Sequence, residues 1–320
     1  MKNKLALVVV TALLMLGVGQ VPAQKLAKEE CSLAVVSRLV SSKQPVCSSK
    51  VVQQMASQGH VFEQNQLGMA SILIIGPDYS EKEALKWFER AAQRGYAPAQ
   101  VNLAVMYMNG WGTPVNYAGA LHWLNAAAAQ GFPRAYYNMG ILFLNGQGVR
   151  HDYAEAFRWF QKGAEANDAD AQTNLGYLYD QGLGCQHSAE TAIAWYRKAA
   201  DAGNPLGQNN LADMYLRGEG ISQNNVEAFR LFQKAAAQGS TAARIKLGYM
   251  YANGLGVKKD LETAYAWISA ASMAGDRRGD YMIPVLEKLL TAKQISSASQ
   301  KARSTPFKPD PQLPIDSFAS

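Results

Sequence analysis

A leucine or methionine, an aromatic four residues later, paired glycines, a polar residue, then alanine and tryptophan: this order of apolar and polar positions returns throughout the chain. Trp87, Trp123, Trp159 and Trp195 set its period at 36 residues; Trp267 lies two periods further on, with Leu231 in the skipped slot. Three positions before each stands alanine: Ala84, Ala120, Ala156, Ala192, Ala228 and Ala264. The chain therefore holds six gap-free blocks, 60–95, 96–131, 132–167, 168–203, 204–239 and 240–275. Such a period marks a repeat architecture in which each unit buries its apolar face against its neighbours.

Each block predicts two helices. Apolar residues at block positions 8 and 12 share one helical face: Leu67, Leu103, Met139, Leu175, Leu211 and Leu247, then Tyr107, Phe143, Tyr179, Tyr215 and Tyr251, with Ser71 in the first block. Position 9 is glycine or alanine in every block, which lets a neighbouring helix approach. The paired glycines Gly110/Gly112, Gly146/Gly148, Gly182/Gly184, Gly218/Gly220 and Gly254/Gly256 mark the turn, since glycine takes positive φ without steric cost. Ser80, Asn116, Asp152, Ser188, Asn224 and Asp260 are N-caps for the second helix, and Glu83, Glu155 and Glu227 complete the capping-box pattern in three of them. The second helix is expected to bury its alanine and tryptophan, closing on Gly95, Gly131, Gly203, Gly239 and Gly275. Asn167 substitutes in the third block, the usual replacement in a left-handed stop.

The run Ala171…Leu175-Gly176…Tyr179…Gly182-x-Gly184…Ala192…Trp195-Tyr196-x-Lys198-Ala199-Ala200…Gly203 resembles the Sel-one-like repeat family, relatives of the tetratricopeptide repeats. The fold class expected is all-α: an α-solenoid, a right-handed superhelix of six 36-residue helix-turn-helix repeats. The resemblance implies a scaffold or adaptor, with partners bound on the concave surface. The first block departs from the pattern, with Ile74 in place of the first loop glycine and Ser71 in place of the aromatic, so its turn should differ.

Composition alters this picture little. The chain has 320 residues, 48% apolar and 18% charged, which excludes wholesale disorder. The start of the chain changes it more. Lys2 and Lys4 precede an apolar run, Leu5 to Gly19, and Val21 and Ala23 are small residues at the −3 and −1 positions of a cleavage site before Gln24. Residues 1–23 are thus expected to be a signal peptide whose removal lowers the net charge from +6 to +4. Export to the periplasm or beyond places Cys31 and Cys47 in an oxidising compartment, and a disulfide between them would staple a helical cap over residues 24–59. Residues 276–302 read as C-terminal capping helices and 303–320 as a disordered tail.

Candidate chemistry is sparse. No S-x-x-K, G-x-S-x-G, H-E-x-x-H, Walker loop or G-x-G-x-x-G occurs in the 320 residues. The alternative of an envelope hydrolase or β-lactam-binding protein therefore lacks its serine–lysine pair. His151 and His187 share a block position and suggest a two-histidine edge site, but exposed loop histidines explain them as well. Cys185 stands where other blocks carry Val149, Ile221 and Val257, so it reads as an apolar stand-in. No catalytic residue, metal or cofactor is assigned. Scattered lysines and arginines with a small net charge argue against nucleic acid.

A binding role is the remaining reading. Block positions 3, 6, 10 and 13 form a second stripe on the first helix, apart from the 8/12 stripe. It comprises Val101, Val105 and Met108; Tyr137, Ile141 and Leu144; Tyr177 and Asp180; Asn209, Asp213 and Leu216; then Ile245 and Tyr249. Such a mixture of apolar anchors and polar groups suits a protein or peptide partner; packing on the next helix is the competing assignment. Asn102, Asn138, Asn174 and Asn210 at position 7 offer either a ligand grip or bonds to the preceding turn. The mature chain is expected to be monomeric, with no integral membrane segment.

Overall fold

The computed structural model describes residues 50–73 and 80–304. The leader, the Cys31–Cys47 pair, most of segment 24–59, the first block's turn at Ile74 and residues 305–320 lie outside the described residues. Those described form helices and turns, with no strand among them, in two compact units: the described residues up to 139 with 147–149, and 140–146 with the described residues from 150 on. In the first unit lie α1 (Lys50–Ser57), α2 (Val61–Leu73), α3 (Glu81–Gln93), α4 (Ala97–Asn109) and α5 (Tyr117–Ala129). Helix α6 (Pro133–Asn145) is divided between the units. The second holds α7 (Tyr153–Glu165), α8 (Ala169–Gln181), α9 (Ala189–Asp201), α10 (Pro205–Arg217), α11 (Asn225–Ala237), α12 (Thr241–Asn253), α13 (Leu261–Met273), α14 (Arg277–Glu287) and α15 (Ala292–Ser304). Paired helices at a fixed period are an α-solenoid.

All six expected N-caps form. Ser80 accepts from the backbone N–H of Glu83, Asn116 from Gly119, Asp152 from Ala154 and Glu155, Ser188 from Thr191, Asn224 from Glu227 and Asp260 from Thr263. The capping box does not close in the expected way. Each cap's own N–H donates instead to the carbonyl at block position 12, as in Asp152 to Phe143 at 3.0 Å and Asp260 to Tyr251 at 2.9 Å. The glutamates are thereby released, and Glu83, Glu155 and Glu227 pair with Lys86, Arg158 and Arg230 one turn on. Asn167, at φ 63°, is the one non-glycine residue with positive φ among the described residues, as its place at a helix stop requires.

Packing within a repeat rests on the residue after the tryptophan. Phe88, Leu124, Phe160, Phe232 and Ile268 are fully buried and Tyr196 is 1% exposed, whereas Trp87, Trp123, Trp159, Trp195 and Trp267 are only half-buried. The expectation of tryptophan as the buried ring is corrected accordingly. Three tryptophan faces instead carry cations one turn on: Arg90 over Trp87 at 4.7 Å, Lys162 over Trp159 at 4.5 Å and Lys198 over Trp195 at 3.9 Å. Such pairs suit a half-exposed indole. The small residue at position 9 faces the buried ring. A methyl group on Gly140 would lie 2.5 Å from Phe160, and one on Gly176 would lie 2.8 Å from Tyr196.

Neighbouring repeats meet at the second loop glycine. A side chain on Gly184 would lie 2.3 Å from the Tyr153 carbonyl oxygen, and one on Gly256 would lie 2.2 Å from that of Asn225. Each of these is the first residue of the preceding repeat's second helix, so the loop is seated on a helix start with no room for Cβ. Past the last repeat, α14 packs on α13 through a Tyr265 to Glu287 hydrogen bond of 3.0 Å, while Ser297 and Lys301 of α15 both bond Glu262. Thr291 and Gln294 form a reciprocal capping box at the start of α15.

Candidate binding surface

A recurrent polar bridge ties the first helix of the first five repeats to the helix before it. The block-position-5 amide donates to the carbonyl eight residues earlier: Gln64 to Ala56, Gln100 to Ala92, Gln172 to Ala164 and Gln208 to Ala200, at 2.9 to 3.4 Å. Tyr136 does the same through its hydroxyl, to Ala128 at 3.1 Å. Gln130 and Gln238, at position 35, donate to the acceptor oxygens of Gln100 and Gln208. The signal for this bridge is the recurrence of glutamine at position 5.

The position-7 asparagines are engaged internally. Asn138 and Asn174 donate to the carbonyls four residues back, of Arg134 and Asp170, at 2.8 and 2.9 Å. Asn102 donates to Asn65 at 2.9 Å, and Asn210 hydrogen-bonds the buried Tyr196 hydroxyl.

The 6/10/13 stripe is split by depth. Position 6 is closed in most repeats: Val101 is 1% exposed, Ile245 7% and Asn209 8%. Leu144 at position 13 is buried as well. These residues are buried in the helical layers, and at position 6 of the first repeat Asn65 accepts from Asn102 of the next first helix. Thr173, also at position 6, bonds Asn204 at 3.2 Å, and Asn204 bonds Asp170 at 2.7 Å.

The remainder stays open. In the first unit Val105, Met108 and Tyr137 are half-buried, with the Arg134 guanidinium 5.0 Å from the Tyr137 ring centre. In the second unit Ile141, Tyr177, Asp180, Asp213 and Leu216 are half-buried, and Tyr249 is 44% exposed.

This open surface carries charge that sequence spacing did not reveal. Lys246, at the block position held by asparagine in the four preceding repeats, pairs with Asp213 at 2.7 Å. Arg217 lies 2.9 Å from Glu219 and 3.8 Å from Asp180. Burial, then the neighbouring Tyr153 and Asp180, raises the Tyr177 hydroxyl above its ordinary value, so it is a neutral donor at physiological pH.

His187 comes together with Asp180 and Glu219, their ligand atoms within 4.8 Å of one another, rather than pairing with His151, which lies edge-on to Tyr153. Arg217 already compensates both carboxylates of that cluster. Cys185 is half-buried and donates to the Leu178 carbonyl at 3.5 Å. Burial raises its thiol above the ordinary range, the opposite of what an activated nucleophile needs. No helix among the described residues is long and apolar enough to cross a membrane.

The Sel1 repeat model matches six times, at residues 64–96, 97–132, 133–168, 169–204, 205–240 and 241–276. From the second match on, the boundaries fall at the first residue of each first helix or beside it. Among solved structures, the chain is similar to a Sel1 repeat protein from Oxalobacter formigenes, with 32% identity and a TM-score of 0.63 over 68% of this chain and 89% of that one. It is also similar to c5321, a protective antigen of uropathogenic Escherichia coli strains displaying an SLR fold. The identity there is 28% and the TM-score 0.49, over 79% of this chain and 62% of that one. No curated protein matches. Six tandem matches over the same helical pairs that the caps and glycines delimit show that the chain belongs to the Sel1 repeat family.

Proposed function

We propose that this chain is an exported, non-enzymatic scaffold that holds a protein or peptide segment on the open stripe of its first helices. Sel1 repeat proteins are generally protein-interaction scaffolds, and the carrying observation is what packing leaves open. With position 6 closed, Tyr177, Asp213 and Tyr249 at position 10 remain accessible on successive repeats of the second unit. Asp180 and Leu216 lie one turn on. Two tyrosines give rigid apolar area with a polar tip, and the Asp213–Lys246 and Asp180–Arg217 pairs add charge of both signs, which fits a segment carrying apolar and polar side chains. The leader supports an envelope setting. N-terminal sequencing of the mature protein is expected to begin at Gln24.

The test is affinity capture with crosslinking from the periplasm, using the full chain and Tyr177→Ala/Tyr249→Ala. Neither ring is in the closed core, so the double variant is expected to lose the captured partner while its melting temperature stays within a few degrees. Unchanged capture would place the binding surface elsewhere, and unfolding would return the rings to a packing role. Covalent labelling by a fluorescent penicillin would instead favour the β-lactam-binding alternative.

A further inference from the structure

The last helical layer exposes an apolar ridge with positive ends. Tyr281, Val285 and Leu289 fall on one side of α14 at four-residue spacing, and they are 79%, 60% and 62% exposed. Tyr281 takes the place in the period that Val101 and Ile245 hold, where they are 1% and 7% exposed. The apolar character is thus that of the period, while such exposure at this position is found, among the described residues, in the last layer alone. Arg277 lies one turn before Tyr281 and Lys288 just past the end of α14, both exposed on the same side.

The two acids of α14 are turned the other way, onto α13. Asp280 accepts from the Ser272 hydroxyl, and Glu287 from the Tyr265 hydroxyl at 3.0 Å. The ridge therefore presents two cations about 16 Å apart along the helix axis, with Tyr281 and Val285 between them and Leu289 beside the second. Its side chains stand proud. A partner helix lays its apolar face into a groove, and side chains three-fifths exposed or more do not line one. A bilayer needs no groove. Tyrosine, arginine and lysine carry a polar tip on an apolar body, which suits the headgroup level, and valine and leucine reach below it. At 11 residues α14 is too short to cross a bilayer, so it would lie on the surface.

We propose that α14 docks the last layer on an anionic lipid surface, with Val285 and Leu289 inserted below the headgroups and Arg277 and Lys288 on lipid phosphates. A second copy of the chain fits less well, because antiparallel pairing of two such ridges sets Arg277 against the other copy's Lys288.

Vesicle sedimentation tests this, using the chain from Gln24 on, since the apolar run Leu5 to Gly19 would itself enter lipid. Vesicles of equimolar phosphatidylglycerol and phosphatidylcholine are expected to bind it about tenfold more tightly than phosphatidylcholine alone. Hydrogen exchange of the α14 amides should slow on those vesicles, with α8 and α9 unchanged. Val285→Ser/Leu289→Ser and Arg277→Gln/Lys288→Gln replace exposed side chains, so both are expected to melt within a few degrees of the parent. Each pair should weaken binding by about tenfold; if one pair unfolds, the other decides. Equal binding to the two kinds of vesicle overturns the proposal, as does binding that neither pair weakens. Weakening by the charge pair alone would overturn insertion of the ridge. Protection of α14 that needs no vesicles and rises with protein concentration would assign the ridge to a second copy instead.

Discussion

A single missing atom group separates two otherwise equivalent places in this chain. Gln100 and Gln208 have both ends of their amides bonded, because Gln130 and Gln238 donate to their oxygens. Gln172 donates to Ala164 but its Oε1 is buried without a hydrogen-bond partner, and the period places Ala202 where those donors stand. A buried acceptor left unsatisfied costs about 1–3 kcal/mol. Ala202→Gln is therefore expected to stabilise the chain by about 1 kcal/mol after side-chain ordering, read as a raised urea midpoint at unchanged slope. The same change in a Gln172→Leu background should give no gain. The sequence shows glutamine at position 5 but not what its oxygen meets, since that partner lies thirty residues on. Tryptophan misleads for a related reason. Its spacing announces the repeat, yet burial falls to Phe160 or Tyr196 beside it, because the buried slot opposite Gly140 or Gly176 takes a single ring and the bulkier indole lies at the edge under a lysine.

At the scale of the helix, local rules were the most legible. Caps, left-handed stops and glycine turns depend on a few consecutive residues, and all six second-helix caps stand where spacing puts them. The capping box failed because a competitor from another element, the position-12 carbonyl, took the cap's N–H first. The cap at Asp260 has a pH signature. The Thr263 hydroxyl, then backbone N–H groups of the turn and Lys301, hold its carboxyl below the ordinary value against a desolvation that raises it. A depressed carboxyl contributes stability that is present above its unfolded value, near 4, and is lost as pH falls through the folded value. Asp260→Asn keeps a competent cap but lacks the charge, so it is expected to be less stable than the parent chain at pH 7 and to lose less stability on acidification from pH 5 to pH 3. Thermal melts followed by circular dichroism across that range check the difference; parallel losses would show that the cap charge is not sensed.

For the molecule as a whole, stability is a sum over repeats and the joints between them. Because each joint recurs at the same block positions, removing one full period should leave compatible surfaces on either side. Deletion of residues 204–239 is expected to give a cooperatively folding chain with unchanged helicity per residue and a lower melting temperature. Deletion of half a period, 204–221, should lose cooperative unfolding, since it joins a second helix to a second helix. The functional surface was less legible than the fold. The stripe at positions 6, 10 and 13 has one spacing but two depths, and only the contact of adjacent first helices decides which residues stay open. Val101 and Asn209 are buried, while Tyr249 is left in solvent.

The seat of the second loop glycine also constrains how such a chain can change over generations. With no room for a methyl group at Gly184 or Gly256, a point mutation there cannot adjust the joint by degrees. An in-register duplication, by contrast, copies the glycine and the helix start it rests on together. Heritable variation in length is thus channelled into whole periods, while variation in what is recognised is left to the half-open positions that no joint depends on.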